Sequence, residues 1–200
     1  MSNFWDQKFS LTPNLYGEKP NQFLERDLKK LPPGKILLPG EGEGRNALYA
    51  AASQWEVTAI DQSPIAKKHT LKKAHDLGLD MDYHVTDIRD FHFAPETYDV
   101  VALIYFHLPE NMQTEIHKKT VDALKKGGSI FIEGFGKDQL NYHSGGPKDL
   151  QMLYNLDDLK ASFPGISWEE EFDGILDLDE GVGHKGAAHV IRLKGTKNSG

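Results

Sequence analysis

From about residue 21 onward the chain alternates short apolar runs with stretches whose apolar positions recur every three or four residues. That alternation predicts a parallel sheet joined by crossover helices. Leu24, Leu28 and Leu31 share one helix face ahead of a first strand, Lys35 to Leu38. A helix from Arg45 leads to a second strand, Glu56 to Ile60, and Ser63 with Pro64 then supplies an N-cap and a first helical position. Leu77 and Gly78 close that helix, and the third strand is Tyr83 to Thr86. The fourth strand, Tyr98 to Tyr105, is apolar almost throughout, the pattern of a central strand buried on both faces. Pro109 opens a helix with Met112, Ile116, Ala123 and Leu124 inward, which Gly127 and Gly128 stop before a fifth strand, Ser129 to Glu133.

The segment Gly136 to Tyr154 has no clear period, and a stretch of that length is commonly a lid or a binding loop, or contains a short helix. Asn155 caps a last helix with Leu156, Leu159 and Phe163 on one face; Ile166 to Phe172 and His189 to Leu193 then pair as antiparallel strands. The expected fold is α/β: a Rossmann-like, doubly wound, mostly parallel seven-stranded sheet with a C-terminal antiparallel hairpin. One domain is expected over 1–200, with a cover segment and helix to residue 34, a ligand-binding core over 35–135, and a lid loop, last helix and hairpin over 136–200.

Composition narrows the function. The chain has 200 residues, no cysteine and a net charge of −7, with 38% apolar and 26% charged residues. The missing cysteines exclude disulfides, thiolate metal sites and cysteine nucleophiles. The acidic balance argues against a broad phosphate-binding footprint, so no nucleic acid partner is expected. No apolar stretch is long enough for a membrane span, and the N-terminus lacks a secretion signal pattern, so the expected setting is cytoplasmic.

Candidate chemistry begins at PGEGEGRN, Pro39 to Asn46, a glycine turn between the first strand and the next helix. Such a turn lets a ligand approach backbone N–H groups closely. Gly42, Gly44 and Ala47 satisfy the dinucleotide fingerprint, but Glu41 and Glu43 would each oppose a pyrophosphate by about 4 kcal/mol at about 4 Å and an effective dielectric near 20. S-adenosylmethionine (SAM) carries a sulfonium and an ammonium and no phosphate, so it suits the loop better than NAD. Asp61 ends the second strand, where an acid can accept from both ribose hydroxyls, and Asp87 with the N–H of Ile88 can read an adenine.

These runs resemble class I SAM-dependent methyltransferases: ILLPGEGEGRN, VTAIDQS, TDI, YDVVALIYFHLP and LKKGGSIFIEGF follow that family's motifs in order. The resemblance makes Gly40, Glu41, Gly42, Gly44 and Asn46, then Asp61, Gln62 and Ser63, then Asp87, Ile88 and Tyr105, the cofactor-binding candidates. It departs at Leu38, where the family usually has an acid two residues before the first glycine. The flanks FWDQKFSLTPNLYGEKPNQFL and DEGVGHKGAAHVIRLKG resemble a subgroup related to tellurite-resistance enzymes and, more distantly, thiopurine methyltransferases. That likeness implies Tyr16 and Gly17 over the methionine part of SAM, Trp5 closing the site, and His184 with Lys185 orienting the acceptor.

Methyl transfer from a sulfonium is an in-line displacement that depends mainly on holding the reactants together. The candidates for acceptor contact are His184, Lys185 and His107, just after the fourth strand. His184 and His189 are an odd number of residues apart on a strand, which sends them to opposite faces and argues against a metal pair. No dedicated carboxylate base is visible, so the expected acceptor is a small soft nucleophile such as a metalloid oxyanion or a thiol. A SAM-binding module without turnover is the second reading, and a nicotinamide dehydrogenase the third.

Overall fold

A computed structural model of the protein describes residues 2–199. In chain order its elements are helices α1 (Ser2–Leu11) and α2 (Gln22–Leu28), strand β1 (Lys35–Pro39), α3 (Arg45–Ala52), β2 (Glu56–Asp61), α4 (Pro64–Leu77) and β3 (Asp82–Val85). Then come β4 (Tyr98–Ile104), α5 (Glu110–Ala123), β5 (Leu124–Phe135), α6 (Leu156–Ala161), β6 (Ile166–Glu180) and β7 (His184–Lys197). The seven strands form one sheet in the order β3-β2-β1-β4-β5-β7-β6. β1 to β5 run parallel, and β7 is antiparallel to both its neighbours. This is the expected architecture.

Strand alternation divides the apolar side chains between two layers. Leu37, Val101, Ile130 and Leu193 pack with Ile116 and Val121 of α5 and Leu159 of α6. Ile36, Leu38, Val100 and Phe131 pack on the other face with Phe23, Leu24 and Leu28 of α2 and Ala47 and Ala50 of α3. Leu38, which stands where an acid was the family expectation, is thus a core residue, 1% exposed.

Three features differ from the sequence expectation, and a fourth decides between its alternatives. Helix α1 was not foreseen; it lies against α4, with Trp5 stacked on Phe9 at 5.7 Å. The helix after Pro109 ends at Ala123, because Leu124 already pairs with Tyr98 across the sheet and Gly127 bends the strand with φ +74°. The C-terminal hairpin is far longer than the two predicted strands, with continuous pairing from Ile166↔Lys197 to Glu180↔His184 apart from one bulge. The aperiodic segment holds two short 3₁₀ turns, Lys137–Asn141 and Leu150–Met152, and Gly136 bridges Tyr154 to close it into a loop.

Candidate active site

A cavity of about 810 Å³ opens over the C-terminal ends of β1 to β4. This is where the sheet order reverses between β1 and β4, the usual ligand crevice of open α/β sheets. Its walls are the glycine loop, α1 with Leu15 and Tyr16, the turn after β4, and residues 143–149. At Gly40 (φ +68°) an added Cβ would stand 2.4 Å from the Phe106 ring, so only glycine keeps this wall open.

The two loop glutamates answer to protein groups. Glu41 Oε1 accepts from the N–H of Asn46 at 2.8 Å and of Ala47 at 2.7 Å, capping α3 from a distance. Burial pushes its carboxyl up to about 7 despite those bonds. Glu43 does not line the cavity: its Oε2 accepts from the N–H of Leu15 at 3.0 Å, and its Oε1 lies 2.9 Å from His69 Nδ1. It therefore fixes the N-terminal segment to the glycine loop. The two glutamates do not both set the ligand's charge, contrary to what the sequence suggests: Glu41 lines the cavity, and Glu43 serves the scaffold.

Asp61 lines the cavity while accepting from the N–H of Gly42 and the N–H of Ser63, each at 2.9 Å. Burial raises its carboxyl above the ordinary range. Gln62 also lines the cavity. Ser63 does not: it caps α4, accepting from Ala66 N–H and donating to Asp6 at 2.5 Å. Asp87 and Ile88 line the far end. The Arg89 guanidinium grips both Asp87 oxygens and holds that carboxyl down at about 2.

The other end is aromatic. His184, 4% exposed, is wedged between Tyr16 (ring centroids 4.4 Å apart) and Tyr105 (4.2 Å), with Phe135 edge-on. His184 Nδ1 lies 3.6 Å from Glu180, too far for a hydrogen bond, and neither it nor the buried Tyr105 Oη has a partner. Burial lowers the His184 ring below its usual pKa, and burial pushes the Tyr16 phenol up to about 12.

Residues 36–128 match the family described as methyltransferase domain. That segment of the chain is similar to methyltransferase domains. This match bears out the expected enzyme class and, with it, SAM as the cofactor. No curated protein matches the sequence. Solved structures similar to this methyltransferase show the same fold. One comes from work on the conversion of a disulfide bond into a thioacetal group during echinomycin biosynthesis; it is 17% identical, with TM-score 0.80 over 100% of this chain and 92% of that one. TehB from Haemophilus influenzae is 19% identical, with TM-score 0.75 over 97% of this chain and 67% of its own. NodS from Bradyrhizobium japonicum, in complex with S-adenosyl-L-homocysteine, is 13% identical, with TM-score 0.67 over 88% and 84%.

The methyltransferase's own residues fit that cofactor. Backbone open to close approach at Gly40, cavity-lining acids at the ends of β1, β2 and β3, and two buried polar atoms without partners provide for a ligand with both polar and apolar parts. Asn46 and Trp5 also line the cavity, whereas Gly17 and Gly44 do not. Gly44 is the N-cap of α3, and Gly17 packs on Gly181, where its added Cβ would meet a backbone nitrogen at 3.2 Å.

Two acceptor candidates need correction. His107 lines the cavity, but both ring nitrogens are used: Nδ1 donates to the Met152 carbonyl at 2.7 Å and Nε2 accepts from the Phe135 N–H at 3.1 Å. Burial brings this ring down to about 4, so it stays neutral and braces the loop. Lys185 is exposed and outside the cavity. Neighbouring residues on a strand point to opposite faces, so once His184 faces the cavity Lys185 cannot.

A buried polar network went unforeseen. Asn21 Nδ2 donates to Glu133 at 2.7 Å and to Glu180 at 3.0 Å. Arg45 binds Glu180 at 3.0 Å and the Tyr16 carbonyl at 3.1 Å, and Arg192 pairs with Glu133. The network ties the N-terminal segment, β5 and the hairpin together behind His184. The polar stretch YGEKPN and the acid in SIFIEGF were its only signals in the sequence, which does not show that they meet.

Proposed function

We propose that this protein transfers a methyl group from SAM to a small soft nucleophile, a thiol in preference to a metalloid oxyanion. The observation that carries the reading is that, among the described residues, no strong base stands at the acceptor end. His107 is committed on both nitrogens, burial lowers the His184 ring, and Tyr16 and Tyr105 are held well above neutrality. A hydroxyl acceptor, or an amine that arrives protonated, gains from a strong base, whereas a thiol with an ordinary pKa near 8.5 supplies its own thiolate fraction. The Lys185 cation expected to orient an oxyanion lies on the outer face, and the cavity's own lysines, Lys8 and Lys148, are exposed at its rim rather than beside the inner end.

When bound, SAM supplies an electrophilic methyl group on a sulfonium. Asp61 would hold the ribose, Asp87 and Ile88 the adenine, and Gly40 with Glu41 the loop side. Residues 143–149 and α1 form the cover that excludes water, which makes close approach effective. The flanks that resemble the tellurite-resistance subgroup touch one another, Gly183 N–H donating to the Leu15 carbonyl at 2.8 Å, which supports kinship with that subgroup. The cysteine-free sequence agrees with a cytoplasmic setting.

The test is release of S-adenosylhomocysteine with thiols, tellurite, selenite, phenols, amines and short RNAs offered in parallel. Turnover concentrated on thiols is expected. Turnover confined to phenols, amines or RNA would overturn the acceptor assignment, and SAM binding without turnover on any of them would favour a binding module.

A further inference from the structure

We propose that the acceptor carries a carboxylate, which Lys8 of α1 and Lys148 of the 143–149 loop receive at the rim of the cavity while the thiol points inward. This rests on the methyl-transfer reading and names the substrate class of that same site.

Charge around the cavity is divided unevenly between the elements. Three of the four lining acids, Glu41, Asp61 and Asp87, belong to the sheet side, each engaged by N–H groups or by Arg89, and the fourth, Asp149, lies in the cover. The cations Lys8 and Lys148 belong to the cover. Arg45, the third cavity-lining cation, is consumed by Glu180 and the Tyr16 carbonyl. Among the described residues Lys8 and Lys148 form no ion pair, although the chain has acids in excess, 30 Asp and Glu against 23 Lys and Arg. Asp149 adjoins Lys148, but its Oδ1 accepts the Gln151 N–H at 3.0 Å and caps the 3₁₀ turn.

Lys8 is also placed over an apolar surface. Its Nζ stands 4.8 Å from the Phe4 ring centroid and 5.4 Å from that of Trp5, both cavity-lining. Its charge reaches inward: after burial and Arg45, Lys8 contributes to the lowering of the His184 ring. Two lysines on separate covering elements, Lys8 of them above aromatic walls, match a flat apolar body bearing an anion at its outer end. An acceptor that neutralises both lysines would also hold α1 and the loop together over the cofactor.

The experiment uses the full-length protein loaded with S-adenosylhomocysteine and two probes of equal size, para-(mercaptomethyl)benzoate and its primary amide. Calorimetry reads binding of each, and steady-state assays with SAM read kcat/KM. The acid is expected to be favoured by about tenfold or more, the scale of one charge-assisted contact. In Lys8→Met/Lys148→Met that ratio should fall toward one, and in Lys126→Met, at the opposite end of β5, it should persist. Equal binding of acid and amide by the wild type, or a preference that survives in the double variant, would overturn the proposal. Methylation of both probes without preference would sink the carboxylate site alone. Preferential binding of the acid with no methylation of either would sink the methyl-transfer reading instead.

Discussion

Replacing Asp61 with asparagine separates its two duties. In the structure each carboxylate oxygen accepts one backbone N–H, from Gly42 and from Ser63, at 2.9 Å. Asparagine keeps the shape but has one acceptor oxygen, so one N–H loses its partner. Hydrogen bonds to a charged group are worth about 1.5 to 3 kcal/mol. Burial already penalises this carboxylate, as its raised pKa shows, and the neutral amide escapes that cost. The net loss of folding stability is therefore expected near the low end, about 1 kcal/mol. SAM binding has no such offset, because the ribose hydroxyls need two acceptors. Affinity should fall by about 1.5 to 3 kcal/mol, roughly 10- to 150-fold in Kd. Thermal unfolding of the free variant reads the first effect and calorimetric titration with SAM the second. A variant that melts lower yet binds SAM within about twofold of wild type would show that Asp61 only staples the loop.

Three further outcomes follow from the geometry. Burial holds the His117 ring near 4, against about 6.5 when unfolded, so the unfolded chain takes up the proton first and stability is lost as pH falls from about 6.5 to 4. His117→Phe, which retains the stack on Phe163, should reduce the pH 7 to pH 5 loss of unfolding free energy by about 2 kcal/mol in urea titrations; an unchanged slope would contradict it. Glu43→Ala should free the Leu15 N–H and speed amide exchange through residues 4–17 while weakening SAM by about 1 to 2 kcal/mol; protection equal to wild type would count against the anchoring role. Lys185→Ala should leave kcat/KM within about twofold, since this lysine faces solvent, and a tenfold loss would restore it to the acceptor site.

The parts that could be read in advance are those dictated by burial on both faces. Ile36 to Leu38, Val100 to Ile104 and Ile130 to Ile132 have no polar alternative, so their runs announce strands, and Ser63-Pro64 announces the helix between. The outer strand β6 is longer than its apolar run suggests because about half of its side chains face water. Its acids, Asp173, Asp177 and Asp179, look like loop composition until the pairing with β7 is seen. Helix α1 offered only Trp5, Lys8 and Phe9 at helical spacing, and its packing on α4 and the cavity is what makes it form. The same alternation that separates His184 from His189 also separates His184 from Lys185, so the sequence itself allows only one of that pair at the site. The Asn21–Glu133–Glu180–Arg45 network was not legible, because it joins positions more than 100 residues apart that no periodicity relates.

The most direct test of the central claim is a pair of calorimetric titrations of the isolated protein, one with SAM and one with NAD. The cavity combines Glu41, Asp61 and Asp87 on its sheet side, where among the described residues no cation is free to receive a pyrophosphate: Arg45 and Arg89 are paired with Glu180 and Asp87, and Lys8 and Lys148 belong to the cover. Saturable heat with SAM and none with NAD is the predicted result. Binding of NAD with no heat from SAM would contradict the account.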